Sequence, residues 1–386
     1  MHILIIPSEH LVTEKAPFAG VFQLEQARAL ACAGHQVGVI SVGVITLRHL
    51  LSGYPYKKQE QFKNLYIARR YERILAPARY YPHKAFQKKI SKLFFTKFDA
   101  YINKSGRPDV VHAHNFLHAG FIAAELKDKH GIPFVLTEHS SSFARGGVPE
   151  GLNSALRTLC EKAASVNCVS LAFKKLLDQR LGVNFEVFHN IVDGIFFEKQ
   201  RIEKKDDYFR FLNVASLDDN KNQALALRAF SKKFKNQKYR LTFIGDGPLE
   251  SKLKNLAKQL GIAGQVEFLG RLPRESVRDE MMKSHCFVLP SSFETFGVVL
   301  IEALACGIPL VATKCGGPED IVNPGNGILV DVGSEDQLAA AMEKIVKTHA
   351  HYRPEQLRAE AQSKYGERVF TDRAIAIYQK AIQGRA

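Results

Sequence analysis

The sequence predicts an α/β protein long enough for two domains, on three observations. Its 386 residues exceed what one ordinary core needs, and 46% of them are apolar. Short apolar runs alternate with stretches whose apolar residues recur at helical spacing. The run Cys286, Phe287, Val288 and Leu289 is followed at once by a polar loop and an alanine-rich helical pattern, a strand, a loop and a helix start.

The composition narrows the class. The longest apolar candidate, Val37 to Leu47, is shorter than the roughly 20 residues of a spanning helix and contains Gly38, Ser41 and Gly43, so no membrane crossing is expected. Met1 to Pro7 lacks a cationic start and a small-residue cleavage site, and reads as a first buried strand rather than an export signal. The six cysteines (Cys32, Cys160, Cys168, Cys286, Cys306, Cys315) form no C-x-x-C pair, which points to reduced thiols in a cytoplasmic protein rather than a disulfide frame or zinc site.

In chain order, Ile3 to Pro7 is a strand and Ser8 to Ala19 a long polar loop ending at Gly20. Phe22, Leu24, Ala27, Leu30 and Ala31 then mark a helix closed by Gly34, and Val37 to Ser41 the next strand, completing one βαβ unit. Residues 57–107 carry fourteen cations and three acids, +11 of the formal +15. Phe86, Ile90, Leu93, Phe94, Phe98 and Tyr101 fall at helical spacing there, with Lys84, Lys88, Lys89 and Lys92 off the stripe. This is either a helix packed on the first domain with a solvated basic face, or a docking surface for anionic lipid head groups or a lipid-diphosphate acceptor. No nucleic-acid motif accompanies the charge, so nucleic acid is not expected as a partner.

Pro108 to His114 reads as a strand, Ala119 to Lys129 as a helix, and Ile132 to Thr137 as a strand ending at Glu138-His139-Ser140. A histidine where a parallel strand ends sits at the crevice such sheets use for ligands, although alone such a histidine is more often a hydrogen-bonded structural residue. Val166 to Ser170 and Phe185 to Phe188 are the last strands of the first domain, and Glu198 to Asp207 the linker.

The second domain starts at Phe211 to Ala215, followed by the turn Leu217 to Asn222 and a helix through Phe230. Leu241 to Leu249 contains a G-D-G-P turn without the spacing of a dinucleotide loop, and Pro248 suits the first turn of a helix. After Leu289, Pro290 to Phe296 is the exit loop and Gly297 to Ala305 a helix. Such a helix start presents unpaired N–H groups and the positive end of its dipole, which favours an anion such as diphosphate. Glu294 lies before the helix and Glu302 four residues after Val298, so both carboxylates can face one crevice and accept from a hydroxyl-rich ligand. Taken singly, each is an ordinary solvated charge. Their spacing, with Phe296 and Gly297 between them, is what makes the pair distinctive. Pro309 to Thr313 is a strand, Ser334 to His349 a helix, and Tyr365 to Gln383 the terminal helices.

The block from Glu294 to Glu302 resembles the E-x7-E signature of the retaining nucleotide-sugar glycosyltransferases of family 4, which have the GT-B fold. Further resemblances run along the chain: Gly20 and Gly34-His35-Gln36-Val37 near the start, T-E-H-S around His139, and His189 to Phe196 at the entry to the second domain. Others are Leu217 to Asn222, the G-D-G-P turn at Gly245, Lys314 to Glu319, and Asn326 to Val330. The family's G-R-L-x-x-x-K-G pattern keeps Lys221 here but has Ser216 at the arginine's place.

The resemblance implies two facing Rossmann-like domains with a deep cleft: residues 1–190 for the acceptor, 191–364 for the nucleotide sugar, and a terminal helix, 365–386, crossing back. It implies that His139 contacts the donor sugar near the reacting carbon, that Glu294 holds sugar hydroxyls and Glu302 the ribose, and that Lys221 with the amides of Phe296, Gly297 and Val298 faces the diphosphate. Gly20, Ser216, Gly245 and Arg271 are implied around the nucleotide, Arg271 reading equally as a surface ion pair. Transfer with retention is implied, from a UDP-sugar before a GDP-sugar, to a glycan or lipid-linked acceptor in envelope polysaccharide or glycolipid assembly. No cofactor is expected, and the absence of a D-x-D pair gives no reason to expect a metal. An epimerase or phosphorylase on a related scaffold, and a non-catalytic basic binder of membranes or nucleic acid, are the alternatives. Epimerised nucleotide sugar without transfer marks the first, and binding without turnover the second.

Overall fold

The computed structural model describes residues 1–7, 20–45, 57–62, 65–73, 84–143, 145–198 and 207–384. The expected loop Ser8 to Ala19 and most of the expected linker after Glu198 lie outside these residues. The chain divides into two compact units, residues 1–169 with 174–191 and 367–386, and residues 170–173 with 192–366.

Among the described residues, the first unit has eight strands: β1 (His2–Ile6), β2 (Gln36–Ile45), β3 (Lys57–Phe62), β4 (Leu65–Arg73), β5 (Val110–His114), β6 (Phe134–Glu138), β7 (Ser165–Cys168) and β8 (Glu186–Val187). Their order is β3-β4-β2-β1-β5-β6-β7-β8, antiparallel at β3–β4 and parallel elsewhere. Ile3, Leu4 and Ile5 are wholly buried, as a parallel strand covered on both faces requires. The terminal helix Glu367–Gln383 belongs to this unit, where Phe370, Ala374, Tyr378 and Ala381 join a core with Ile3, Leu24, Leu30 and Val37. Helix Lys84–Ser105 buries Ile90, Leu93, Phe94, Phe98 and Tyr101 and leaves Lys88, Lys89 and Lys92 exposed. The apolar stripe is therefore core, and the lysines form a solvated face.

Among the described residues, the second unit has six parallel strands: β9 (Phe209–Val214), β10 (Tyr239–Ile244), β11 (Val266–Phe268), β12 (Cys286–Leu289), β13 (Leu310–Thr313) and β14 (Gly327–Val330). The order β11-β10-β9-β12-β13-β14 is the doubly wound arrangement, and it reverses direction between β9 and β12. Phe211, Phe230, Phe243 and Val288 lie in one core with Leu338 and Met342 of helix Glu335–Thr348. The short piece 170–173 groups with this unit, and Leu171 N donates to Asp320 Oδ2 at 2.7 Å.

Candidate active site

The loops leaving β9 and β12 flank the point where strand order reverses, the place where open α/β sheets collect ligands. They are latched together. Ser292 N donates to the Asn220 carbonyl at 2.7 Å, and Asn220 Nδ2 donates to the Phe293 carbonyl at 3.0 Å. This brings Lys221 Nζ to 2.6 Å from Glu294 Oε1, which also accepts from Ser291 Oγ at 2.7 Å. The two side chains are 23% and 12% exposed, so the pair is largely shielded yet reachable.

A third loop fixes the Glu294 backbone. Glu294 N donates to the Cys315 carbonyl at 3.0 Å, and Gly317 N donates back to the Glu294 carbonyl at 2.8 Å. A Cβ on Gly317 would stand 2.2 Å from Phe296 Cα, so only glycine allows this approach. The same logic holds on the other side. Gly245 has φ +129°, and a Cβ there would lie 1.9 Å from the Ala215 carbonyl oxygen. Gly245 thus serves by pressing its turn against the Ser216 loop, where Leu217 N donates to the Asp246 carbonyl at 2.9 Å.

Helix Val298–Ala305 starts from Gly297 in the left-handed region with no side-chain cap; Leu300 N donates to the Gly297 carbonyl at 2.9 Å, which leaves the N–H groups of Val298 and Val299 for a ligand. The Phe296 side chain is buried edge-on to Tyr365, which leaves only its backbone for the site. Ser216 Oγ donates to Asp218 Oδ2 at 2.6 Å, and Asp218 Oδ1 accepts from Lys221 N at 3.1 Å. At the position where the family has arginine, this chain therefore has a turn-forming serine. Asn222 (φ +49°) supplies the left-handed residue that begins helix Gln223–Phe234.

Glu302 is placed differently from its neighbour. It is 4% exposed, and its Oε1 lies 3.2 Å from Arg274 Nη2, which is also 3.4 Å from Asp193 Oδ2. Burial pushes the Glu302 carboxyl above the usual range, against the pull of Arg274. The two carboxylates thus belong to separate charge groups, Glu294 with Lys221 and Glu302 with Arg274. Arg271 forms an ion pair with Asp246, both well exposed. Sequence reading missed Asn220, Ser291 and Arg274. Only the Pro273 that precedes Arg274 hinted that it opens a helix. A separate cavity of about 510 Å³, lined by Gly325, Ile328, Lys344 and Tyr352 among others, shares no residue with this group.

In the first unit, Gly20 (φ +64°) starts helix Val21–Cys32, and Phe22 of that helix packs 4.8 Å from the His139 ring. His139 follows β6. Its backbone N–H donates to Asn115 Oδ1 at 2.8 Å, and its ring Nε2 is hydrogen-bonded to His114 Nδ1 at 2.9 Å. Burial pushes His139 down to about 3, so its imidazole is neutral. His112 is also pushed down to about 3, held between Tyr378 Oη at 2.7 Å and Thr137 Oγ1 at 2.8 Å. Glu138, pushed up to about 7 by burial, accepts from the backbone N–H groups of Phe116, His139 and Ser140.

Comparison with known proteins identifies what the two sheets and the latched loops belong to. The family described as Glycosyltransferase Family 4 matches residues 19–194, and that described as Glycosyl transferases group 1 matches residues 195–364. The chain is a family 4 glycosyltransferase. This glycosyltransferase is 24% identical to N-acetyl-alpha-D-glucosaminyl L-malate synthase of Bacillus anthracis, over 87% of this chain and 86% of that one. Its fold is that of sucrose-phosphate synthase from Thermosynechococcus elongatus (TM-score 0.78, 18% identity, 100% of each chain). It is also that of Anabaena HepE solved with UDP and glucose (TM-score 0.71, 17% identity, 97% of this chain and 98% of that one). The glycosyltransferase is thus of GT-B type and acts on a sugar donor.

Proposed function

We propose that the enzyme moves a sugar from a nucleoside-diphosphate sugar to a glycan or lipid-linked acceptor, with retention at the anomeric carbon and without a metal. A UDP-sugar is the first candidate donor and a GDP-sugar the second. The observation that carries the reading is the Lys221–Glu294 pair beside the uncapped start of helix Val298–Ala305. A cation, free helix N–H groups and a fixed carboxylate are what a sugar diphosphate needs at its two ends. HepE, a protein of the same fold, was solved with UDP and glucose.

The bond between the anomeric carbon and the phosphate oxygen breaks with its electron pair going to the diphosphate. Lys221 and the amides around Gly297 and Val298 stabilise that charge as it develops. Glu294, held by Ser291, accepts hydrogen bonds from sugar hydroxyls, and Glu302 receives the ribose. The acceptor hydroxyl forms the new bond on the same face and gives its proton to the departing phosphate oxygen. Retention and the role of His139 toward the sugar come from the family resemblance. The absence of a D-x-D pair leaves the electrostatic work to protein groups.

The acceptor's lipid character is read from Lys88, Lys89 and Lys92, exposed on helix Lys84–Ser105. Incubation with UDP- and GDP-sugars and lipid-linked acceptors tests the proposal. Released nucleoside diphosphate with a lengthened glycan supports it, and epimerised nucleotide sugar without transfer refutes it.

A further inference from the structure

We infer that Arg274 is a positioning residue for the donor's ribose: it holds the Glu302 carboxylate in one orientation and keeps it an acceptor of two hydroxyls. The inference rests on the proposed donor site and adds to it a residue that does not itself touch the ligand.

The geometry is specific. Glu302 stands in the second turn of a helix whose residues from Leu300 onward are buried, a costly place for a lone carboxylate. Arg274 opens helix Arg274–Lys283 directly after Pro273, and its Nη2 reaches Glu302 Oε1 at 3.2 Å and Asp193 Oδ2 at 3.4 Å. Its guanidinium also lies 5.1 Å over the Phe196 ring, so an aromatic face and two carboxylates meet on this one cation. Asp193 is itself anchored, accepting from Ile195 N at 3.1 Å.

Arg278 and Arg358, the cations that act on the nearby Cys306, have partners of their own. Arg278 pairs with Asp279 at 2.9 Å and Glu198 at 3.7 Å, and Arg358 Nη2 donates to the Phe197 carbonyl at 2.8 Å. The Cys306 thiol, one turn on, is pushed up by burial and is neutral. Arg274 is therefore the cation that faces Glu302 at close range. Without it, Glu302 and Asp193 are left as two shielded acids with no shared counter-ion, and burial then acts unopposed against the charged form of Glu302. A protonated carboxyl has an O–H donor at one oxygen and no charge, so it no longer offers a charged oxygen to each of the two ribose hydroxyls.

The test is calorimetric titration of the full chain from pH 5.5 to 8.5 with UDP, GDP and ADP and the 2′-deoxy counterpart of each. It compares the unaltered protein with R274M, R274K, E302Q and the double variant R274M/E302Q. The unaltered protein is expected to prefer the ribonucleotide by about tenfold, a charged hydrogen bond's worth, with little pH dependence. R274M is expected to lose most of that preference and to bind more weakly as pH falls, R274K to restore it, and the double variant to bind like E302Q alone. R274Q replaces R274M should the latter fail to fold. The inference is overturned if the neutral variants keep the preference and pH profile of the unaltered protein, or if R274M and E302Q act additively. No nucleotide binding by the unaltered protein overturns the donor reading itself, and so is distinct from a failure of Arg274.

Discussion

Lys221 Nζ lies 2.6 Å from Glu294 Oε1, although the two residues leave different strands and are joined by no shared element. The contact exists because β9 and β12 are neighbours where the sheet reverses, and because Asn220 ties one loop to the other. The ion pair holds each side chain against the other. A diphosphate would take over Lys221 and leave Glu294 to the sugar.

Glu294→Gln keeps the shape of the loop, whose backbone is held by Cys315 and Gly317, and removes the charge. Turnover is expected to fall by about 10²–10³ with thermal stability within a few degrees of the unaltered protein, as loss of one transition-state contact gives. Lys221→Met is expected to weaken nucleoside diphosphate binding as well as turnover. Steady-state kinetics and a melting curve on the two variants check this. Near-normal turnover in Glu294→Gln contradicts the site.

Backbone proximity gives a sharper structural prediction. Gly245→Ala places a methyl group 1.9 Å from the Ala215 carbonyl oxygen at φ +129°, and is expected to cost at least about 2–3 kcal/mol. Gly264→Ala meets nothing within 4 Å and is expected to be neutral or stabilising by about 0.4–1 kcal/mol. Urea unfolding of the two variants checks the contrast, and similar midpoints would refute the interlocked loops.

The buried histidines set the response to acid. His112 and His139 are both pushed below the ordinary 6.5, to about 3, so their contribution is full above 6.5 and lost as pH falls toward 3. Within that window each lowers stability by about 1.4 kcal/mol per pH unit. Glu138 runs the other way: raised to about 7, it favours the fold below its ordinary value of 4.5 and loses that contribution as pH rises through 7. Stability measured by urea is expected to drop between pH 6 and 4, and His112→Asn to make that drop shallower. A flat profile would mean that these rings are not buried as neutral groups.

Much of this was legible in the sequence, for a physical reason. Strands such as β1 and β12 are buried on both faces and so appear as unbroken apolar runs, and Gly297 marks a helix start because few other residues accept its φ. The hairpin of β3 and β4 was not legible, because Lys57, Lys58, Arg69, Arg70 and Arg73 make it read as a charge run. Asn222 hid a left-handed residue where the family has glycine, since asparagine tolerates that region. Arg274 was invisible because its partners, Glu302 and Asp193, are distant in the chain and meet only through folding.

The basic helix separates a surface role from a core role. Ile90, Leu93 and Phe94 are buried while Lys88, Lys89 and Lys92 are exposed, so charge reversal at the lysines leaves the packing intact. Glutamate at all three is expected to abolish sedimentation with vesicles of anionic lipid while the melting temperature stays within a few degrees. Unchanged sedimentation would remove the lipid surface from the proposal and leave the donor site untouched.

The most direct measurement of the central claim is nucleoside diphosphate release from UDP- and GDP-sugars in the presence of a lipid-linked acceptor, comparing the unaltered enzyme with Glu294→Gln. The account predicts release matched by a lengthened, anomerically retained product with the unaltered enzyme, and loss of both by about 10²–10³ in the variant. Equal release by the two proteins, or release with an inverted product, would contradict it.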